Sequence, residues 1–132
     1  MPITATGVRN ISALICTTST GVRPWGATGA YFLVGNSTAT HTTTQAWMLG
    51  AASTMNAMDA TYPTRSTNII TFRATFSTAQ ANFVWNEWGI TNTTSTADAN
   101  QSLLNRKVED PALGTKTSAQ SWQITADITM TS

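Results

Sequence analysis

Residues 82–92, Asn-Phe-Val-Trp-Asn-Glu-Trp-Gly-Ile-Thr-Asn, constrain this chain more than any other stretch. They hold two of its five Trp residues together with Phe83, Val84 and Ile90. Aromatic and β-branched side chains at this density favour a pleated strand over a helix. On one continuous strand Phe83, Trp85, Glu87 and Gly89 point one way, and Val84, Asn86, Trp88 and Ile90 the other. Bulk on both faces predicts a strand covered on both sides, in the middle of a sheet or at an interface.

Two further stretches fit around it. Residues 69–76 place Ile70, Phe72, Ala74 and Phe76 on one face and Ile69, Thr71, Arg73 and Thr75 on the other. Residues 120–131 alternate more cleanly, with Trp122, Ile124, Ala126, Ile128 and Met130 inward and Gln123, Thr125, Asp127 and Thr129 outward. A sustained period of two marks half-buried antiparallel strands. Strands around one aromatic centre predict a mainly β chain, a single antiparallel β-sandwich or jelly-roll-like domain over residues 1–132. The expected core is Phe72, Phe76, Phe83, Trp85, Trp88, Trp122, Ile124 and Ile128.

The remaining segments read as hairpins and connectors. Val8, Ile11, Leu14 and Ile15 suit a short N-terminal helix, although residues 11–17 suit a strand equally well. Short strands are expected over residues 30–34, 53–62 and 102–108, with residues 64–68 as a turn and 91–100 as a polar loop. Residues 45–52, with Trp47, Met48 and Leu49, read as one helical turn or an irregular anchor. No βαβ rhythm or solenoid-type repeat is present.

Composition narrows the function. At 132 residues the chain is long enough to bury a core without metals or disulfides. Charged residues make up 10% and the net charge is +1, so colloidal repulsion is weak; this fits self-association or attachment to a larger assembly, and equally a plain β domain from a Thr-rich proteome. Lys and Arg are scattered, which argues against a duplex nucleic-acid ligand. No apolar run reaches membrane-spanning length. The first residues lack a secretion-signal pattern, and the lone Cys16 reads as a small buried hydrophobe. Synthesis in a reducing cytoplasm is expected.

Chemistry-bearing residues are sparse. One His and one Cys cannot build a zinc cluster, and His41, in a polar Thr-rich loop, reads as a surface residue. No phosphate loop or calcium loop is present, and four Asn-x-Ser/Thr triplets, at Asn10, Asn36, Asn92 and Asn100, read as chance matches in so Thr-rich a chain. No cofactor, metal or catalytic group is expected. Glu87 alone among the carboxylates sits between aromatics. Trp85 and Trp88 with Glu87 make a sugar-stacking platform in one reading. In the other, the two Trp residues are core and Glu87 pairs with a buried Arg73 or Arg106.

Three blocks carry a family resemblance: Met58-Asp-Ala-Thr-Tyr-Pro63, then Asn68-Ile-Ile-Thr-Phe-Arg-Ala-Thr-Phe76, then Ala81-Asn-Phe-Val-Trp-Asn-Glu-Trp-Gly-Ile90. Leu103-Leu-Asn-Arg-Lys107, Leu113-Gly-Thr-Lys116 and Trp122-Gln-Ile-Thr-Ala-Asp-Ile-Thr129 continue it. Over residues 30–131 the chain resembles small structural proteins of tailed-bacteriophage virions, and its block order resembles a β-domain of phage tail-collar fibres. The resemblance implies a non-enzymatic virion component, made in the host cytoplasm. One role is a capsid decoration (cement) protein that binds the outer head surface as a symmetric homo-oligomer, a trimer being expected, with the major capsid protein as partner. The alternative is a collar, fibre or baseplate protein among tail proteins, binding a receptor or carbohydrate. The absence of a shaft repeat favours decoration. Trp25, Tyr31 and Trp47 are the expected interface anchors, and residues 1–7 an arm that reaches a neighbouring subunit.

Overall fold

The structure is a computed structural model that describes residues 4, 7, 24–26, 28–94 and 103–130. Apart from Gly7, the N-terminal helix expected around residues 7–16 lies outside the described residues, as does Cys16. Among the described residues there are nine strands: β1 (Tyr31–Gly35), β2 (Ser53–Ala57), β3 (Thr64–Ser66), β4 (Ile69–Phe76), β5 (Val84–Trp85), β6 (Glu87–Thr91), β7 (Leu103–Val108), β8 (Gly114–Thr115) and β9 (Trp122–Thr129). They pair antiparallel throughout. A four-stranded sheet runs β2-β1-β6-β7, a three-stranded sheet β3-β4-β9, and β5 and β8 form a separate ribbon. The chain is thus mainly β and sandwich-like, as its periodicity predicts.

The core lies where the inner faces of the two sheets meet. Phe32, Val34, Trp88, Ile90 and Leu104 from the larger sheet pack with Phe72, Ala74, Phe76, Ala126 and Ile128 from the smaller. Each fully buried side chain of this size contributes about 1.5–3 kcal/mol. Trp85 stands edge-on to Phe76 and to Trp122, with ring centroids 5.1 Å apart in both pairs. The indole N–H of Trp85 donates to Ala81 O at 2.9 Å, so its one polar atom is satisfied inside the core. Phe83, Trp122 and Ile124 are only half-buried against this cluster, and Met130, expected inward, is exposed because the sandwich ends before it.

Residues 82–92 do not form one strand. The chain leaves the sheet at Asn86, whose N–H donates to Gly35 O at 2.9 Å and whose C=O accepts from Glu109 N–H at 2.7 Å. Residues three apart on a continuous strand face opposite ways. The break instead lets Trp85 and Trp88 enter the same core, and leaves Glu87 on the opposite face of the larger sheet. Residues 64–68 also differ from expectation. Only Thr67 and Asn68 turn, and Thr64–Ser66 is a strand paired with Ile69–Thr71. The strand expected over 53–62 stops at Ala57.

Candidate functional site

Glu87 is the centre of the most constrained cluster. Its side chain and that of Arg106 are both 0% exposed, and Arg106 Nε donates to Glu87 Oε2 at 2.5 Å. Cross-strand register places the two on one face, since Gly89 lies opposite Arg106 and shares a face with Glu87. That face is covered by residues 36–52, which link β1 to β2. Glu87 also accepts backbone N–H bonds from Ser37 at 3.4 Å, Leu49 at 3.3 Å and Gly50 at 2.7 Å. Arg106 Nη1 donates to Ala39 O at 2.9 Å and to Gln45 Oε1 at 3.2 Å. The carboxylate is tolerated inside because its oxygens are met by donors, while Arg106 Nη2, equally buried, has no hydrogen-bond partner. Glycine makes room for it: a Cβ at Gly35 would collide with the Glu87 carboxylate, and one at Gly50 would lie 2.8 Å from Oε1.

Beside the ion pair, Leu33, Met48 and Leu103 form a second small core, with Trp47 and Met55 half-buried against it. His41, expected at the surface, lies in the same covering segment and is not fully exposed. It is half-buried, and neither Nδ1 nor Nε2, both shut off from solvent, has a hydrogen-bond partner. Burial and then the Arg106 guanidinium lower its pKa from the ordinary 6.5. Residues 45–52 are the irregular anchor rather than a helical turn.

The Trp85–Glu87–Trp88 platform is therefore not an open surface. Trp85 is 2%, Trp88 8% and Glu87 0% exposed; of the two alternatives for this cluster, the one with Glu87 paired to Arg106 is what the geometry contains. Trp88 still borders a cleft of about 360 Å³, lined also by Lys107, Glu109, Leu113 and residues 124–127. The cleft opens between the edges of β7 and β9. Glu109 accepts from the Trp88 indole N–H and from Lys107 Nζ, each at 2.8 Å. Burial pulls its pKa up, but these two donors and the Lys107 charge outweigh it and leave the pKa below the ordinary 4.5. A carboxylate held ionised in this way is unsuited to act as a general acid.

The outer face of the smaller sheet is open. Asp59 Oδ2 accepts from Arg73 Nε at 3.0 Å, Thr75 Oγ1 at 3.0 Å and Gln123 Nε2 at 3.2 Å. Thr71 Oγ1 donates to Asp127 Oδ1 at 2.6 Å, and the Arg73 guanidinium stacks 4.1 Å above the Tyr62 ring. These bonds fix the rotamers of a patch that carries one cation, Arg73, and two carboxylates, Asp59 and Asp127. Sequence reasoning placed the outward residues correctly but had no means of finding Asp59, which lies beyond β2.

Of the expected interface anchors, Trp25 and Trp47 pack half-buried against the main and the small core, and Tyr31 is half-buried at the start of β1. Thr4 is buried against its own chain: its N–H donates to Leu104 O at 3.0 Å and its hydroxyl donates to Leu103 O. Of the arm expected over residues 1–7, only Thr4 and Gly7 lie among the described residues. Among the described residues no group of three or more His, Cys, Asp or Glu is placed to hold a metal, and no helix is long and apolar enough to cross a membrane. Comparison with protein-family models, with curated proteins and with solved structures finds no match to this chain.

Proposed function

We propose that this chain is a non-enzymatic structural protein of a bacteriophage virion, a capsid decoration (cement) protein that attaches to the outer head surface as a symmetric oligomer. The observation that carries this reading is the open face of the three-stranded sheet. There Thr71, Arg73, Thr75, Gln123 and Asp127 are already tied to one another or to Asp59. Side chains ordered before docking lose little rotamer entropy on docking, so a surface of modest chemistry can bind through area. The carboxylates support the same view. Glu87, Glu109, Asp59 and Asp127 each serve a structural pairing. The phage context itself comes from the resemblance of residues 30–131.

A tail-associated carbohydrate or receptor binder relied on Trp85, Glu87 and Trp88 as an open platform, and their burial favours decoration over it. The test is the copy number of this chain in purified particles, measured by quantitative mass spectrometry against the major capsid protein. Decoration predicts a number commensurate with the head lattice. A count matching a single ring or a set of fibres would move the protein to the tail, and absence from particles would end the structural reading.

A further inference from the structure

Among the described strands the two sheets of the sandwich have four edges, and they are not equally protected. β3 is three residues long and β2 five, while Thr4 already bonds to the β7 edge at Leu104. β9 is eight residues long, and β4 is its one neighbour among the described strands. The register shows which of its backbone groups are unused. Met130 N–H donates to Asn68 O at 2.8 Å, and the same ladder continues as Ile70 opposite Ile128, Phe72 opposite Ala126 and Ala74 opposite Ile124. In an antiparallel ladder, residues that exchange hydrogen bonds alternate with residues that do not. Ile124, Ala126 and Ile128 therefore bond to β4, and Gln123, Thr125, Asp127 and Thr129 turn their N–H and C=O groups away from it. Residues 124–127 line the open cleft.

Natural sheets guard such edges with Lys, Pro, bulges or short strands. The β9 sequence Trp-Gln-Ile-Thr-Ala-Asp-Ile-Thr contains neither Lys nor Pro, and its β4 register is unbroken. We propose that this edge docks a second copy of the same chain, by antiparallel β9–β9 pairing about a two-fold axis at Thr125, so that two three-stranded sheets become one of six strands.

The sequence of β9 is complementary to itself in this register. Thr125 meets Thr125 of the second copy, a favourable cross-strand pair. Asp127 falls opposite the Gln123 amide, and the two Asp127 carboxylates are kept apart. Ile124 and Ala126 stay on the inner face and extend the core across the junction. The ends match as well. Leu113 is 49% exposed and lies beside Gly114, which packs on Trp122 at the start of β9, while Met130 is 44% exposed at its finish. Antiparallel pairing carries Leu113 of each copy towards Met130 of the other, covering two of the most exposed large apolar side chains. Lys107 and Glu109 at the cleft already neutralise each other.

The dimer stands independently of the virion reading, because a chain missing from particles can still pair. Sedimentation equilibrium of the full chain over a dilution series tests it. Thr125→Pro removes an outward N–H while sparing the bonds to β4, and Leu113→Glu puts a charge against the apolar Met130 of the other copy without touching the core. The expected result is a wild-type dimer whose dissociation constant rises about tenfold or more in each variant, with the amides of Thr125 and Asp127 protected from hydrogen exchange only in the dimer. Should Thr125→Pro fail to fold, Leu113→Glu decides alone. A wild-type chain that stays monomeric, a trimer, or a dimer indifferent to the folded variants would overturn the proposal.

Discussion

The two outer faces of the sandwich each carry an arginine–carboxylate pair, in opposite solvation. On the larger sheet Arg106 and Glu87 are both 0% exposed, under residues 36–52; on the smaller sheet Arg73 and Asp59 are 32% and 19% exposed. The buried pair joins the β1–β2 connection to the sheet through three backbone N–H groups, and the open pair organises only neighbouring side chains. Burial, and not the identity of the charges, decides what each pair does. In water the attraction is small and screened, whereas in the interior loss of one partner strands a charge.

The most damaging single change follows from that difference. Arg106→Met leaves the Glu87 carboxylate buried without its cation and should cost about 3–5 kcal/mol, a large share of the roughly 5–15 kcal/mol that is ordinary for a domain. Urea denaturation measures it. A loss below about 1 kcal/mol would mean that the cover opens and water reaches Glu87. Adding Glu87→Leu should return only part of the loss, because the N–H groups of Leu49 and Gly50 then lack their acceptor.

Next in size is the space around the carboxylate. Gly35→Ala drives a methyl group into Glu87 and should cost about 1–3 kcal/mol, in the manner of an overpacked core. The same substitution at Gly26, where nothing lies within 4 Å of a Cβ, is the control and should leave the urea midpoint almost unmoved.

How the sequence foreshadows these regions depends on whether a face is periodic. β4 and β9 alternate strictly, so their inner residues and the paired outward Thr71 and Asp127 are legible in the alternation itself. The region around Glu87 breaks its own period. Asn86 takes the chain out of the sheet, and nothing in the local pattern distinguishes that break from a continuous strand. What covers Glu87 is a non-repetitive segment held by backbone donors, which leave no signature in side-chain periodicity. Lys116 is another such case: it is 1% exposed with Nζ 2.8 Å from Asn82 Oδ1, a burial decided by tertiary position alone. His41 misleads for the same reason, since its polar neighbours in sequence say nothing of the Arg106 charge that acts on it.

His41 also gives the covered face a pH response. Its folded pKa lies below the 6.5 of the free side chain, so below that pH the unfolded chain takes up the proton first. Stability is therefore intact above about pH 6.5 and declines as pH falls through the folded value. Glu109, also lowered, contributes with the same sign but only from below about 4.5. His41→Asn should flatten the upper part of the profile and spare the lower part. Thermal melts at about pH 7.5, 6, 5 and 3.5 separate the two, the last lying below the ordinary carboxylate range. An unchanged slope in the variant would remove His41 from the account.

The smallest effect belongs to the open pair. Asp59→Ala deletes the acceptor shared by Arg73, Thr75 and Gln123, yet all three donors keep access to water. The expected loss is only about 0–1 kcal/mol, and shrinks further as salt is added. The Arg106→Met loss should be nearly indifferent to salt, because its charges are out of reach of the ions. The informative result is the ratio of the two losses across a salt series. If Asp59→Ala proved as costly as Arg106→Met and as insensitive to salt, the outer face of the smaller sheet would be covered in solution, and the surface proposed for attachment would already be in use.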